Sequence, residues 1–342
     1  MKRQTIRDLA TEAGVSVSTV NRVLAGDSNV RASTKQRVET AARSINFYGL
    51  GTIESSVAAS RPKHKFGFVL HQSSRMFYRN LATALHQAAE RVTDRDIEAI
   101  VEFADDLAPQ AIASRMLMLA DRCDAVGVVA AVHPLISETV KTIHARGIPV
   151  FALISNLSAT GSIPYVGLDN WKAGRTFGWA FANILKQPGK IATLVGNHRY
   201  RCQEMNESGF RSYFREHAPE FVLLDPLSTF ETSAIAQEMT EKLLREHPDL
   251  AGLLIAGGGI SGVITALRDT GMSGKIMTAG FELMDTTKSA LLDGTLKLVL
   301  SHPLERLADT TIREMIRASA AKSDFGQFTS ILPFDIYTRE NI

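Results

Sequence analysis

The sequence predicts two architectures in one chain. The first is an all-α helix-turn-helix head over residues 1–48. The second is an α/β two-lobed core over residues 66–342, built of parallel sheets with helices on both faces. Three observations predict this. Residues 5–24 carry two short apolar stripes at helical spacing with a glycine between them. From Phe66 onward, short apolar runs alternate with amphipathic stretches, the pattern of βαβ units. Charge divides at the same boundary: residues 1–65 hold 11 Lys+Arg against 5 Asp+Glu, while the rest hold 27 against 31. A basic head on an acidic body points to a polyanion as partner of the head alone, with a solvated basic face as the alternative.

In the head, Ile6, Leu9, Ala10 and Ala13 form one stripe, and Val20, Val23 and Leu24 the second. Gly14 between them suits a tight turn of positive φ. Ser16 is placed to cap the second helix, Ala10 to let that helix pack over the first, and Gly26 to end it. A third helix is expected from about Thr34 to Asn46, with Val38, Ala41, Ala42 and Ile45 inward. Val17, Ser18, Asn21 and Arg22 then project from the second helix. They offer an apolar group for a thymine methyl, an amide for adenine and a guanidinium for guanine O6 and N7. Thr5, Ser16, Thr19, Asn29 and Thr34 are placed for phosphate oxygens, which set register without reading sequence. The plainer alternative is a small helical bundle with a polar face.

"TIRDLATEAGVSVSTVNRVLAG", followed by "VRASTKQRVETAARSINFYG", resembles the DNA-binding head of the lactose-repressor (LacI/GalR) family of bacterial regulators. The resemblance implies that the second helix enters the major groove of double-stranded DNA. It also implies that paired heads of a homodimer read a near-palindromic operator, with Val17, Ser18 and Arg22 as base readers.

Residues 49–65, "GLGTIESSVAASRPKHK", read by composition as a flexible linker. The family places a hinge helix here that wedges a leucine into the minor groove. Val57 stands near the wedge position, Leu50 where the family has proline, and Ser55 where it has arginine. A shorter, β-branched wedge implies a weaker kink or a different central base step.

In the core, "FGFVLH", "IEAIVEF", "AVGVVAAV", "IPVFALI", "IATLVG", "FVLLD", "GLLIAGG" and "KIMTAGFE" read as buried parallel strands. "NLATALHQAAERV", "PQAIASRMLMLADR" and "SAIAQEMTEKLLREHP" read as crossover helices. A seam near residues 162–175 separates an N-lobe (about 66–164 and 296–325) from a C-lobe (about 165–295), with a strand region over 326–342. "YVGLDNWKAG" and "GFELMDTTKSALLDGT" resemble the family's periplasmic-binding-protein-like effector core. That resemblance implies three crossings between lobes and a small-molecule effector, a sugar or sugar derivative, in the cleft at the strand carboxyl ends.

Glu282, at a strand end, is the leading effector ligand, because a carboxylate there accepts from two vicinal hydroxyls. An interlobe ion pair is its alternative role. Phe77 and Tyr78 are placed to stack on a sugar ring, or else to pack helix to core. Asn156 and Asp169 sit at strand ends, Asp169 more in the manner of a helix cap or hinge anchor. His302 follows the strand "LKLVLS". The resemblance adds Phe230, where the family puts an aromatic, and either Arg199 or Arg201, where it supplies an arginine. It also marks a departure, since Gly257 to Gly259 stand where many members carry an Asn-Asp pair.

Two rival classes stand beside this reading. "GGGISG" (257–262) matches G-x-G-x-x-G after a strand, with Glu282 20 residues beyond Gly262, which is the fingerprint of a nicotinamide-dependent oxidoreductase. Its late position and the want of a hydride-transfer constellation count against it. A transport or storage binding module leaves the basic head unexplained. His198 and Cys202 are four apart, without further ligands at metal spacing. The expectation is therefore a non-enzyme with no cofactor and no metal. Two cysteines, no apolar membrane span and no secretory leader lead to a cytoplasmic expectation.

Overall fold

The structure is a computed structural model that describes residues 4–157, 163–321 and 325–342. It divides into two units, residues 1–64 with Ala89–Glu98, and Lys65–Ala88 with Ala99–Ile342.

The first unit opens on α1 (Ile6–Ala13), α2 (Val17–Leu24) and α3 (Ala32–Ser44). Thr5 caps α1 through a reciprocal box with Asp8, and Ser16 caps α2 by accepting from the Thr19 N–H. Gly14 takes φ 62° in the turn, where a side chain would be strained. The Arg37 guanidinium, from α3, donates to the carbonyls of Ala13 and Gly14 and so fixes the turn from below. Leu9, Val20, Val23, Val38 and Ala42 are fully enclosed. Each of the larger side chains contributes about 1.5–3 kcal/mol by leaving water.

The segment expected as a flexible connector is largely helical: α4 spans Leu50–Ala59. Ile53 and Val57 join the same apolar cluster as Leu9 and Val20, and Leu50 packs at its edge. Positions 50, 53 and 57 form a helical stripe that small-residue composition concealed. Arg43 of α3 pairs with Glu54 at 2.9 Å and ties the two helices together.

Two sheets lie in the second unit, except for residues 63–64 and 96–98, which open two of their strands and fall in the first. One runs in the order β12-β5-β4-β3-β1-β2, from β1 (Lys63–His71), β2 (Asp96–Ala104), β3 (Ala125–Val128), β4 (Val150–Leu153), β5 (Tyr165–Leu168) and β12 (Ser330–Leu332). The other runs β13-β11-β10-β9-β6-β7, from β6 (Lys190–Val195), β7 (Val222–Leu223), β9 (Leu250–Ile255), β10 (Met277–Phe281), β11 (Leu298–Ser301) and β13 (Asp335–Tyr337). A short β8 (Leu227–Ser228) pairs with β6 beside β7. The β12–β5–β4–β3–β1 pairings are parallel, as are those from β11 through β10, β9 and β6 to β7 and β8, whereas β13 runs antiparallel on β11. Three connections pass between the sheets: β5 to β6, β11 to β12, and β12 to β13.

Two strands fall in the other lobe from the one expected. Tyr165–Leu168 belongs to the first sheet because it bonds to β4 (Ala152 opposite Tyr165), and Leu298–Ser301 belongs to the second because it bonds to β10. The seam therefore lies just beyond each strand, where its helix departs. There α8 (Asn170–Ile184) and α9 (Arg201–His217) pack almost backbone to backbone. A Cβ on Gly174 would stand 2.0 Å from the Asn206 carbonyl oxygen, and one on Gly209 would stand 2.4 Å from that of Trp171. This close approach sets the position of the α9 side chains that reach the cleft.

Candidate functional site

A cavity of about 640 Å³ lies at the carboxyl ends of the strands of both sheets. Its charges are paired across it. Arg75, in the loop after β1, donates from Nη1 to Glu231 Oε2 at 2.7 Å, and Glu231 follows β8 of the other sheet. The second oxygen of Glu231 accepts from Gln203 Nε2 at 2.5 Å, while Gln203 Oε1 accepts the backbone N–H groups of Gly196 and Asn197. On the far wall, Glu282 Oε1 accepts from His302 Nδ1 at 2.6 Å. Its Oε2 accepts from the His302 backbone N–H and the Ser301 hydroxyl. Phe77 lies edge-on to Tyr78 and 5.9 Å from the His302 ring, forming an aromatic side to the cavity.

The backbone around the cleft is strained. Ile154, Phe230, Glu231 and Glu282 all have φ between 49° and 72°, a region that residues with a side chain rarely adopt. Ile154, Glu231 and Glu282 line the cavity. Strain gathered at one place, and held there by surrounding bonds, marks a site whose geometry is over-determined.

His71 defines what the cavity accepts. Desolvation lowers its pKa to about 4, so the ring is neutral near pH 7. Its Nε2 lies 3.1 Å from the Val129 carbonyl oxygen, which only accepts, so the proton sits on Nε2. The Tyr200 hydroxyl lies 3.1 Å from the same nitrogen. Nδ1 is then a bare acceptor, and it is buried without a partner among the described residues. Asn206 Oδ1 is likewise a buried acceptor without a partner among the described residues, His302 Nε2 is a further buried polar atom without one, and all three residues line the cavity. Buried acceptors of this kind are satisfied by a ligand that brings hydroxyl donors.

In the head, Val17, Ser18, Asn21 and Arg22 are exposed together on the outer side of α2, with Thr19 and Thr34 half-buried and Asn29 exposed. Thr5 and Ser16 have their hydroxyls engaged in capping, and Thr5 gives its proton to Asp8 Oδ2. Val57 is not offered as a wedge. It is 6% exposed inside the apolar cluster, because the α4 stripe turns it there.

The family described as "Bacterial regulatory proteins, lacI family" matches residues 5–49, and that described as "Periplasmic binding protein domain" matches residues 66–323. The chain belongs to the periplasmic binding protein domain family and carries a lacI-family head. It is 25% identical to the HTH-type transcriptional regulator RegA of Clostridium saccharobutylicum over 98% of both chains. It is 27% identical to the D-ribose/D-allose-binding protein of Pseudomonas aeruginosa over 39% of this chain and 41% of that one. With other curated relatives, too, the chain spans only about half of their length. A solute-binding protein of an ABC transporter from Agrobacterium vitis, solved with α-D-tagatopyranose, shares the fold. Its TM-score is 0.74 at 17% identity, over 81% of this chain and 95% of that one.

Against this core, the glycine run at 257–259 loses its dinucleotide meaning, and nothing in the comparisons supports an oxidoreductase. A Cβ on Gly258 would fall 1.7 Å from Arg75 Nη2 and 2.1 Å from Glu231 Oε2, so the loop is bare because the ion pair fills its place. Of the effector-binding residues expected, Phe77, Tyr78, Glu282 and His302 line the cleft of the periplasmic-binding-type core. Asn156, Asp169, Arg199, Arg201 and Phe230 do not. Asp169 caps α8 by accepting the Lys172 N–H, Arg199 is exposed, and Phe230 is 66% exposed. In each case an adjacent residue lines the cavity: Ser155, Asn170, Tyr200, Cys202 and Glu231. The half-buried Cys202 has its thiol pKa pushed up to about 12 by desolvation, and half of the His198–Cys202 pair is thereby inert. Arg75, His71, Gln203 and Asn206 carried no sequence signal, since each is recognised only by what it faces.

Proposed function

We propose that the protein is a transcription regulator acting as a repressor, a cytoplasmic homodimer on a near-palindromic operator, whose core binds an uncharged sugar or polyol as effector. The observation that carries the effector reading is the division of labour in the cleft. Arg75, Glu231 and Glu282 already answer one another or a neighbouring side chain, while His71 Nδ1 and Asn206 Oδ1 are buried acceptors, and His302 Nε2 a buried polar atom, without partners among the described residues. A sugar supplies several hydroxyl donors at once together with an apolar ring face for Phe77 and Tyr78. An anionic ligand would have to displace a carboxylate first. The lacI-type head with its exposed α2 side chains supports the DNA reading, and the RegA and sugar-binding relatives support their combination. Among the described residues no helix is long and apolar enough to cross a membrane.

The test is selection of genomic fragments by the purified full chain, followed by footprinting with and without a panel of neutral sugars, polyols and sugar phosphates. A symmetric footprint altered by a neutral sugar is expected. A response confined to phosphorylated sugars would overturn the effector assignment, and no site-specific footprint at low salt would overturn the regulator.

A further inference from the structure

The end of α2 brings an acidic side chain back against an arginine of its outer face. Gly26 takes φ 73°, the Gly26 N–H donates to Val23, and the Asp27 N–H donates to the Arg22 carbonyl at 2.9 Å. That is a Schellman turn, and it folds residue 27 alongside residue 22. Asp27 is then held at both oxygens. Oδ1 accepts the Asn29 backbone N–H at 2.8 Å, and Oδ2 accepts Arg22 Nε at 2.7 Å. Asn29 and Arg22 keep its carboxyl below the usual carboxylate range. The Arg22 side chain stays 49% exposed, and its Nη1 and Nη2 make no hydrogen bond among the described residues.

We propose that Asp27 is a positioning residue for sequence readout: by engaging Nε it presents the Nη1/Nη2 edge of Arg22 end-on to O6 and N7 of a guanine. The proposal rests on α2 being the helix that reads DNA. A guanidinium has several edges able to bind a base, and an unheld one on a long flexible stem serves phosphates and bases alike. With Nε occupied, the remaining edge matches the two acceptors of guanine and no other base presents that pair. The carboxylate adds a second discrimination. Close to the duplex it repels phosphate, so it lowers binding to all sequences while the Arg22–guanine contact restores binding to one.

The experiment selects a binding site from a randomised duplex library with the full chain. Affinities are then measured for that site and its single-base variants with the wild type, Arg22→Ala, Asp27→Ala, Asp27→Asn and the double alanine variant. Asp27→Asn keeps an oxygen for the Asn29 N–H, and thermal unfolding of each variant checks that the head remains folded. Arg22→Ala should flatten preference at one base pair. Asp27→Ala should reduce the guanine preference at that same pair by roughly tenfold, while binding to unrelated DNA holds or strengthens, and the double variant should resemble Arg22→Ala alone. Asp27→Asn should lie between. If Arg22→Ala flattens a position that Asp27→Ala leaves intact, or if the two effects add, the positioning role is overturned while the reading helix stands. A uniform loss across all bases in Asp27→Ala would also overturn it, since the turn alone would then explain the residue. If Arg22→Ala alters no base preference, the reading of α2 falls as well.

Discussion

Glu231→Ala separates the strain of the cleft from the ion pair that the strain supports. Removing one partner of a buried pair costs about 3–5 kcal/mol, because the other charge is left without an answer. Here the Arg75 side chain is 22% exposed and faces a cavity, so water recovers part of that and about 2 kcal/mol remains. Gln203 Nε2 also loses its acceptor, for about 1 kcal/mol more. The sum is about 3 kcal/mol, which in a unit of this size lowers Tm by about 6 °C. Two companions isolate the causes. Glu231→Gly loses the same bonds but releases φ 61°, so it should be more stable than the alanine variant by about 1 kcal/mol, against the usual order of the two residues. Adding Arg75→Met to Glu231→Ala removes the stranded charge and should recover about 2 kcal/mol. Thermal and urea unfolding of the four proteins measures these differences. A Glu231→Ala protein within 1 °C or so of wild type, or a double variant weaker than the single, would refute the assignment of Arg75 and Glu231 as a coupled pair.

Three further outcomes are expected. Glu282→Ala should leave operator binding intact and abolish the sugar response, because both the carboxylate and the orientation of His302 are lost; a full response in footprinting would move the ligand elsewhere. His71 titrates at about 4 in the fold and near 6.5 when unfolded, so the unfolded chain binds the extra proton first. Stability should therefore fall, by up to about 3 kcal/mol, as pH drops from 6.5 to 4, and His71→Phe should flatten that part of a stability-pH curve. Phe230→Ala should retain ligand affinity within roughly twofold, as expected of a surface side chain away from special features, whereas a tenfold loss in calorimetry would place the aromatic in the site after all.

The helices of the head were legible because glycine, cap and stripe agree at Gly14, Ser16, Leu9 and Val20, each a local signal. α4 was suggested by the resemblance, which places a hinge helix there, but composition missed it because Ile53 and Val57 are diluted among Gly, Ser and Ala, and helical phase shows only once Leu50 is counted with them. The core's strands were readable as apolar runs, but their sheet was not. Nothing within "YVGL" or "LVLS" says which neighbour will bond to it. The cleft was found at the strand ends yet its phase was missed by one residue at Asn156, Asp169, Phe230 and the two arginines. Adjacent residues there point to opposite sides, and the positive φ values at Ile154, Phe230 and Glu231 break the alternation that periodicity assumes. Arg75 and Glu231 are 156 residues apart, and only the closed fold makes them partners.

The threading of the chain bears on how it is made. Residues 330–332 and 335–337 supply the outer strands of the two different sheets, β12 on β5 and β13 on β11. During synthesis β5 and β11 are the edge strands of their sheets until these few residues leave the ribosome and two shorter strands take the edge. The nascent protein therefore passes through a stage in which β5 and β11 are both edge strands at once. Removing residues 330–337 would hold it there permanently, and the damage would appear as aggregation on the ribosome or in the cell before any effect on ligand or DNA could be measured.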